Sequence, residues 1–327
     1  MHRRTFLGLA AALAGARLAA PTAARAQSLA GKQIKLVVPF PPGGATDIVA
    51  RPFAQMLGEA LKATVVIDNR GGAGGSIAAD AVAKSVADGQ TMMVGTAGTH
   101  AINPSLYVRL PYDAVRDFTP LALIAQGPVT VIVHPAQPVK TLADLVALAK
   151  QMPGKLNYGT AGVGTPGHLT AEMFRAAAGI NIQHVPYKGG APAITDLIGG
   201  QIQIMFEPLQ SALSNIQGGK VRALAVSSRA RAPAVPDVPT IAESGYAGFE
   251  TTAWWGVFAP AGLSEALTAS LVAEIERFGA SEAFRERLEP LGVTTIGNVG
   301  GTIFAQFQLS EIAKWGKAVK DAGVKID

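Results

Sequence analysis

Cysteine is absent from the 327 residues. That excludes a disulfide framework, a thiol nucleophile and any cysteine-ligated metal. Charged residues are sparse, at 16% against 49% hydrophobic, too apolar a balance for a disordered chain. No apolar run approaches the roughly 18 residues of a membrane span. The five histidines, at 2, 100, 134, 168 and 184, show no H-E-x-x-H spacing. There is no G-x-x-x-x-G-K-[ST] phosphate loop and no G-x-S-x-G nucleophile elbow. No metal, cofactor or catalytic set is expected.

Most of the net charge of +5 belongs to the first residues. Arg3, Arg4, Arg17 and Arg25 stand in residues 1–26, which hold no acid. Removing those four from 28 basic side chains leaves 24 against 23 acidic ones. A near-neutral body gives no reason to expect nucleic acid as a partner. Arg3-Arg4 precede an apolar stretch from Phe6 to Ala16, and Ala24-Arg25-Ala26 offers a peptidase site. This is the layout of an export signal over 1–26, twin-arginine-like, with cleavage before Gln27 and the periplasm as destination.

What the sequence has in quantity is glycine, 37 residues, together with 21 prolines. They punctuate alternating strand and helix patterns. Ile34–Val38, Val65–Ile67 and Met92–Val94 read as strands, and Thr46–Leu61 and Ser76–Val86 as helices. The pattern restarts with Leu156–Tyr158, helix 167–178, strand 180–185, helix 191–198 and strand 202–206. Two copies of one βαβ plan imply two similar α/β domains with parallel sheets covered on both faces. Two extended apolar stretches, 121–133 and 252–258, read as crossings between them. Lobe 1 then comprises 27–124 and 253–327, and lobe 2 comprises 125–252, with a ligand cleft between. The doublet Trp254-Trp255 reads as core or hinge packing.

Five glycine-rich loops follow strands, and most lead into helices. They run from Pro39 to Asp47, Arg70 to Ser76, Gly95 to His100, Gly159 to His168 and Tyr187 to Pro192. Helix N-termini offer unpaired N–H groups and the positive end of the dipole. Glycine lets the backbone approach, and threonine adds hydroxyls, so the set suits an anionic oxygen. Gly162 to Gly167 matches G-x-G-x-x-G, but the region about 20 residues on has no acid, so no dinucleotide is expected. His100 and His168 stand open between donating to an anion and capping a turn. Asp47 sits where a helix favours an acid; its alternative is to pair with a ligand amine or order water. Lys188 and Arg70 are candidates to neutralise a second carboxylate.

In order and together, Val38-Pro39-Phe40-Pro41-Pro42-Gly43-Gly44, Asn69 to Gly75, Gly98-Thr99-His100-Ala101-Ile102-Asn103-Pro104, Gly159 to His168, Val185 to Gly190, Pro236 to Thr240 and Phe258 to Gly262 mark a family. On these segments the chain resembles the Bug or TctC-like solute-binding receptors of tripartite tricarboxylate transporters. The resemblance covers essentially everything after the export signal. It implies a two-lobed, type II-like periplasmic-binding-protein fold, with two α/β domains joined by two crossing strands. It implies capture of a small organic carboxylate and delivery to membrane permease subunits, by a monomer that catalyses nothing. Carried over, the carboxylate grip is Phe40, Pro42, Gly43, Gly44, Ala45 and Asp47 on one lobe. Thr160, Gly164, Thr165, Pro166 and His168 form it on the other, with Thr96, Thr99 and His100 beside the cleft. Distal specificity falls near Tyr187 and the strand end at Phe206. There the family often has Phe-Asp, and this chain has Phe206-Glu207-Pro208. The longer acid either accepts from an ammonium or hydroxyl, or shrinks the distal pocket. A sensory module or an exported α/β enzyme using the same cleft are the alternatives.

Overall fold

The computed structural model describes residues 28–326; the export signal expected over 1–26 lies outside them. The chain runs β1 (Gln33–Val38), α1 (Ala45–Leu61), β2 (Thr64–Asn69), α2 (Ser76–Ala83), β3 (Thr91–Thr96), α3 (Asn103–Leu106) and β4 (Phe118–Gly127). It continues with β5 (Val129–Val133), α4 (Leu142–Gln151), β6 (Asn157–Thr160), α5 (Pro166–Ala178), β7 (Gln183–Pro186), α6 (Gly190–Ile198), β8 (Ile204–Pro208), α7 (Leu209–Gln217) and β9 (Arg222–Val226). It closes with β10 (Ala253–Pro260), α8 (Glu265–Gly279), α9 (Glu282–Leu288), β11 (Thr294–Thr295) and α10 (Gly301–Ala322).

Two sheets form. The first has the order β11-β4-β10-β3-β1-β2 and the second β7-β6-β8-β5-β9. Set side by side, β2-β1-β3-β10-β4 and β7-β6-β8-β5-β9 are the same arrangement. The duplication legible in the sequence is therefore a duplication of topology. The sheets are mixed rather than parallel. The βαβ strands pair in parallel, but β10 runs antiparallel to β3 and β4, and β5 antiparallel to β8 and β9. The reason is the crossings. Strands β4 and β5 meet almost end to end at Pro128, so β5 enters the second sheet against the direction of its βαβ strands. β10, arriving from that lobe, does the same in the first.

Each sheet is buried on both faces, which explains the nearly unbroken apolar strands. Ile34, Leu36 and Val38 of β1 join one core with α1 and α8, while Val37 joins another with α2 and α10. The second sheet packs likewise against α4 and α5 on one side and α6 and α7 on the other. Local chemistry sets the helix ends. Thr141 and Asp144 form a reciprocal capping box at α4. α5 starts on Thr165 with Pro166 in its first turn and stops at Gly179, which is left-handed at φ 60°. α2 ends at Ala83, short of the expected Val86.

The lobes are closed on one another. A Cβ on Gly98 would lie 2.9 Å from the carbonyl oxygen of Gly164 on the other lobe. One on Gly74 would lie 2.6 Å from that of Val163, and one on Gly189 2.9 Å from Pro41 Cδ. At these positions glycine is needed for close backbone approach, not merely for turning.

Candidate functional site

Between the sheets, at the carboxyl ends of the βαβ strands, lies a narrow cleft. Lobe 1 contributes Phe40, Gly44, Ala45, Thr46 and Thr96; lobe 2 contributes Ala161, Thr165, Pro166, Gly190, Glu207 and Pro208. Ala253, Trp254 and Trp255 of β10 close the floor.

Three helices start on this cleft. α1 begins at Gly44 and α6 at Gly189, neither with a side-chain cap. Their first-turn N–H groups are therefore free of side-chain acceptors. α5 begins at Thr165, whose hydroxyl donates to Gly162 O at 2.7 Å and accepts from His168 N at 3.4 Å. The positive ends of three helix dipoles thus converge where no Lys, Arg or His side chain lines the wall. Glu207 is the single ionisable side chain among the described lining residues. Trp255 Nε1 donates to Thr46 Oγ1 at 3.1 Å, fixing the start of α1 against β10.

Of the residues expected to bind, Phe40, Gly44, Ala45, Thr96, Thr165, Pro166 and Glu207 meet in the cleft. Pro42, Gly43, Asp47, Thr99, His100, Thr160, Gly164, His168 and Tyr187 are not on its wall, and several stand directly behind it. Thr99 Oγ1 accepts from Thr96 N at 2.9 Å. His100 stacks on Phe258 at 3.7 Å, with a ring nitrogen 2.8 Å from Thr99 Oγ1. Thr160 bonds His184 at 2.7 Å, and His184 stacks on His168 at 4.4 Å. Burial pushes His100 and His184 down to about 3 and His168 to about 4. These rings are neutral at neutral pH and add no positive charge. Tyr187 Oη donates to Asp196 at 2.7 Å. Arg70 pairs with Asp68 at 2.8 Å, and neither it nor Lys188 lines the cleft.

Asp47 shapes the loop rather than facing the ligand space. It accepts from Gly43 N at 2.9 Å, Arg51 Nε at 2.8 Å and Asn69 Nδ2 at 3.0 Å. Asn69 also donates to Phe40 O at 2.9 Å. Burial raises the Asp47 carboxyl, but these hydrogen bonds outweigh it and hold the group below the usual range. A depressed folded-state value gives stability that is present above the unfolded value and lost as pH falls through the folded one. Asp47→Ala is expected to cost about 1–3 kcal/mol, measured by urea unfolding at pH 7. The deficit should shrink as pH falls below about 4; a cost that does not change with pH would contradict this.

Residue-level reading did not single out Thr46, Ala161, Gly190, Pro208, Ala253 or the tryptophans, although Thr46, Ala161 and Gly190 lie within the loops it recognised. The tryptophans carried a signal only as an aromatic doublet on a crossing strand, which packing alone accounts for equally well.

The chain matches the family described as tripartite tricarboxylate transporter family receptor across residues 49–324. It is similar to the solved Rpa4515 of R. palustris with adipate, at 39% identity and TM-score 0.87, over 90% of this chain and 98% of that one. It is similar to the periplasmic binding protein BugD at 35% identity and TM-score 0.86, over 90% and 98%. The malate-bound MatC of Rhodopseudomonas palustris aligns at 34% identity and TM-score 0.84, over 88% and 99%. With its duplicated mixed sheets and the cleft between them, the chain belongs to the tripartite tricarboxylate transporter receptors, two-lobed solute-binding proteins.

Proposed function

We propose that the chain captures a small carboxylate in the interlobe cleft, outside the inner membrane, and presents it to the membrane permease of a tripartite transporter. The observation that carries this reading is the convergence of the α1, α5 and α6 N-termini on one enclosed space lined by no cationic side chain. Such a wall stabilises a carboxylate through backbone N–H groups and helix dipoles. Adipate in Rpa4515 and malate in MatC, both small organic acids, support the ligand class. The grip is Phe40, Gly44, Ala45, Thr46 and Thr96 on one side and Thr165-Pro166 on the other, with Pro42, Gly43, Asp47, Thr99, His100, Thr160, Gly164, His168 and Tyr187 holding the walls in shape.

The lobes move as 27–124 with 253–327 against 125–252, about the two crossings. A ligand that touches both lobes only when they are closed shifts the population toward closure. The permease then recognises the closed monomer. Export by the twin-arginine-like segment 1–26 places it in the periplasm. No helix among the described residues is long and apolar enough to cross a membrane.

The test is thermal unfolding of the processed protein, stripped by unfolding and refolding, against a panel of carboxylates. A ligand at 100 times its Kd adds about 2.7 kcal/mol. In a two-lobed chain of this size that raises the midpoint by a few degrees. Chemical turnover of the compound that binds, or no shift with any carboxylate, would overturn the reading.

A further inference from the structure

Glu207 is the penultimate residue of β8, is 1% exposed, and lines the cleft. Its Oε1 accepts from Ser211 Oγ at 2.6 Å. Its Oε2 is buried with no hydrogen-bond partner. The fold makes room for this acid. A Cβ on Gly190, the first residue of α6, would lie 2.1 Å from Glu207 Oε1, so any side chain there displaces the carboxylate. A buried acceptor without a partner is costly, and here it belongs to a side chain that lines the cleft. We propose that Glu207 selects the ligand: the cleft takes a small carboxylate that also bears an ammonium group, and Glu207 Oε2 accepts a hydrogen bond from that ammonium.

The inference rests on the carboxylate-receptor reading and narrows it. Charge counting carries it. The ligand carboxylate occupies the helix N-termini, and no lining side chain is cationic. Ionised Glu207 would then be a second negative charge in one desolvated space, and a dicarboxylate would bring a third. An ammonium on the ligand makes the filled cleft close to neutral and satisfies Oε2.

The surroundings leave Glu207 free to respond. Burial pushes its carboxyl up to about 7, and the Ser211 hydrogen bond offsets only part of that. β5 places Thr130 opposite it, and neither β5 nor α7 carries a charged residue. On α5, Glu172 pairs with Arg175 and His168 is neutral near pH 7. On α6, Asp196 accepts from Tyr187, and across the cleft Asp47 pairs with Arg51. Glu207 thus titrates near neutral pH with no cationic side chain on the cleft wall beside it. An adjacent cation favours its ionised form.

Calorimetric titration of the processed protein tests this with chain-matched sets. For five carbons the probes are valerate, glutarate, norvaline and 5-aminovalerate, with parallel sets of four and six carbons that include adipate. The better amino member of the best-fitting set should bind about tenfold or more tighter than its unsubstituted acid and its diacid. That preference should weaken between pH 8 and pH 6, as Glu207 takes up a proton. Glu207→Gln should remove both the preference and its pH dependence, with the fold checked by thermal unfolding. The pH series on the unaltered protein stands even if that variant fails to fold. A diacid preferred in its set, or binding that strengthens as pH falls, overturns the role of Glu207 and leaves the receptor reading intact. Failure of every carboxylate to bind overturns the receptor reading itself.

Discussion

Thr165→Trp should abolish carboxylate binding while leaving a folded protein. Thr165 is 3% exposed, caps α5, and lines the cleft beside Pro166. An indole there fills space that the ligand needs and covers the helix start from the lobe 2 side. The loss should exceed a hundredfold in affinity, about 2.7 kcal/mol or more, seen as no heat in titration and no ligand-induced rise in midpoint. The substitution also removes an N-cap, which costs about 1 kcal/mol. That is small against a typical folding stability of about 5–15 kcal/mol. Thr165→Ser keeps the capping oxygen and the open space, so it should bind nearly as the unaltered protein does. If the tryptophan variant binds normally, the cleft is not the binding site.

Gly98→Leu should weaken binding from a position that does not line the cleft. Gly98 begins the helical turn after β3 in lobe 1, with no positive φ, so leucine suits its backbone. Its Cβ, however, would lie 2.9 Å from Gly164 O of lobe 2. That is closer than real contacts allow, and the obstacle is backbone, which cannot swing aside. The side chain therefore acts as a wedge against the closed form. Overpacking of this kind costs about 1–3 kcal/mol, or roughly 5- to 150-fold in apparent affinity. The midpoint of the ligand-free protein should change little. Small-angle scattering should show compaction on ligand addition for the unaltered chain and less for the variant. Full compaction with undiminished affinity would mean that the Gly98–Gly164 seam does not govern closure.

Much of the fold was legible because it is local. The strand from Ile34 to Val38 and the helix from Thr46 to Leu61 follow from periodicity and from the glycine and proline stops around them. The duplicated βαβ plan followed from loop spacing. Strand direction was not legible. The antiparallel entry of β5 and β10 depends on where the chain crosses between lobes, and no local pattern encodes that.

The site divides the same way. Glycine, proline and threonine between strands mark places where backbone N–H groups can face an anion, and the sequence placed those loops at the helix starts. Residues that line the cleft and residues that brace it share those loops, so sequence could not separate Thr96 from Thr99, or Thr165 from His168. Asp47 illustrates the difference. Its position in the first helical turn, four residues from Gly43 and Arg51, is a sequence fact, but its bond from Asn69 requires β2 to lie beside β1. Trp254 and Trp255 looked like packing, and both are buried at 1% and 2% exposure; only the meeting of the lobes makes them a floor. Sequence by itself determined the repeating α/β plan and the chemistry of the loops, because these depend on neighbours a few residues apart. Tertiary structure alone decided which lobe faces which and which acid is left without a partner. It also decided which glycines must stay bare, because those depend on contacts between segments far apart in the chain.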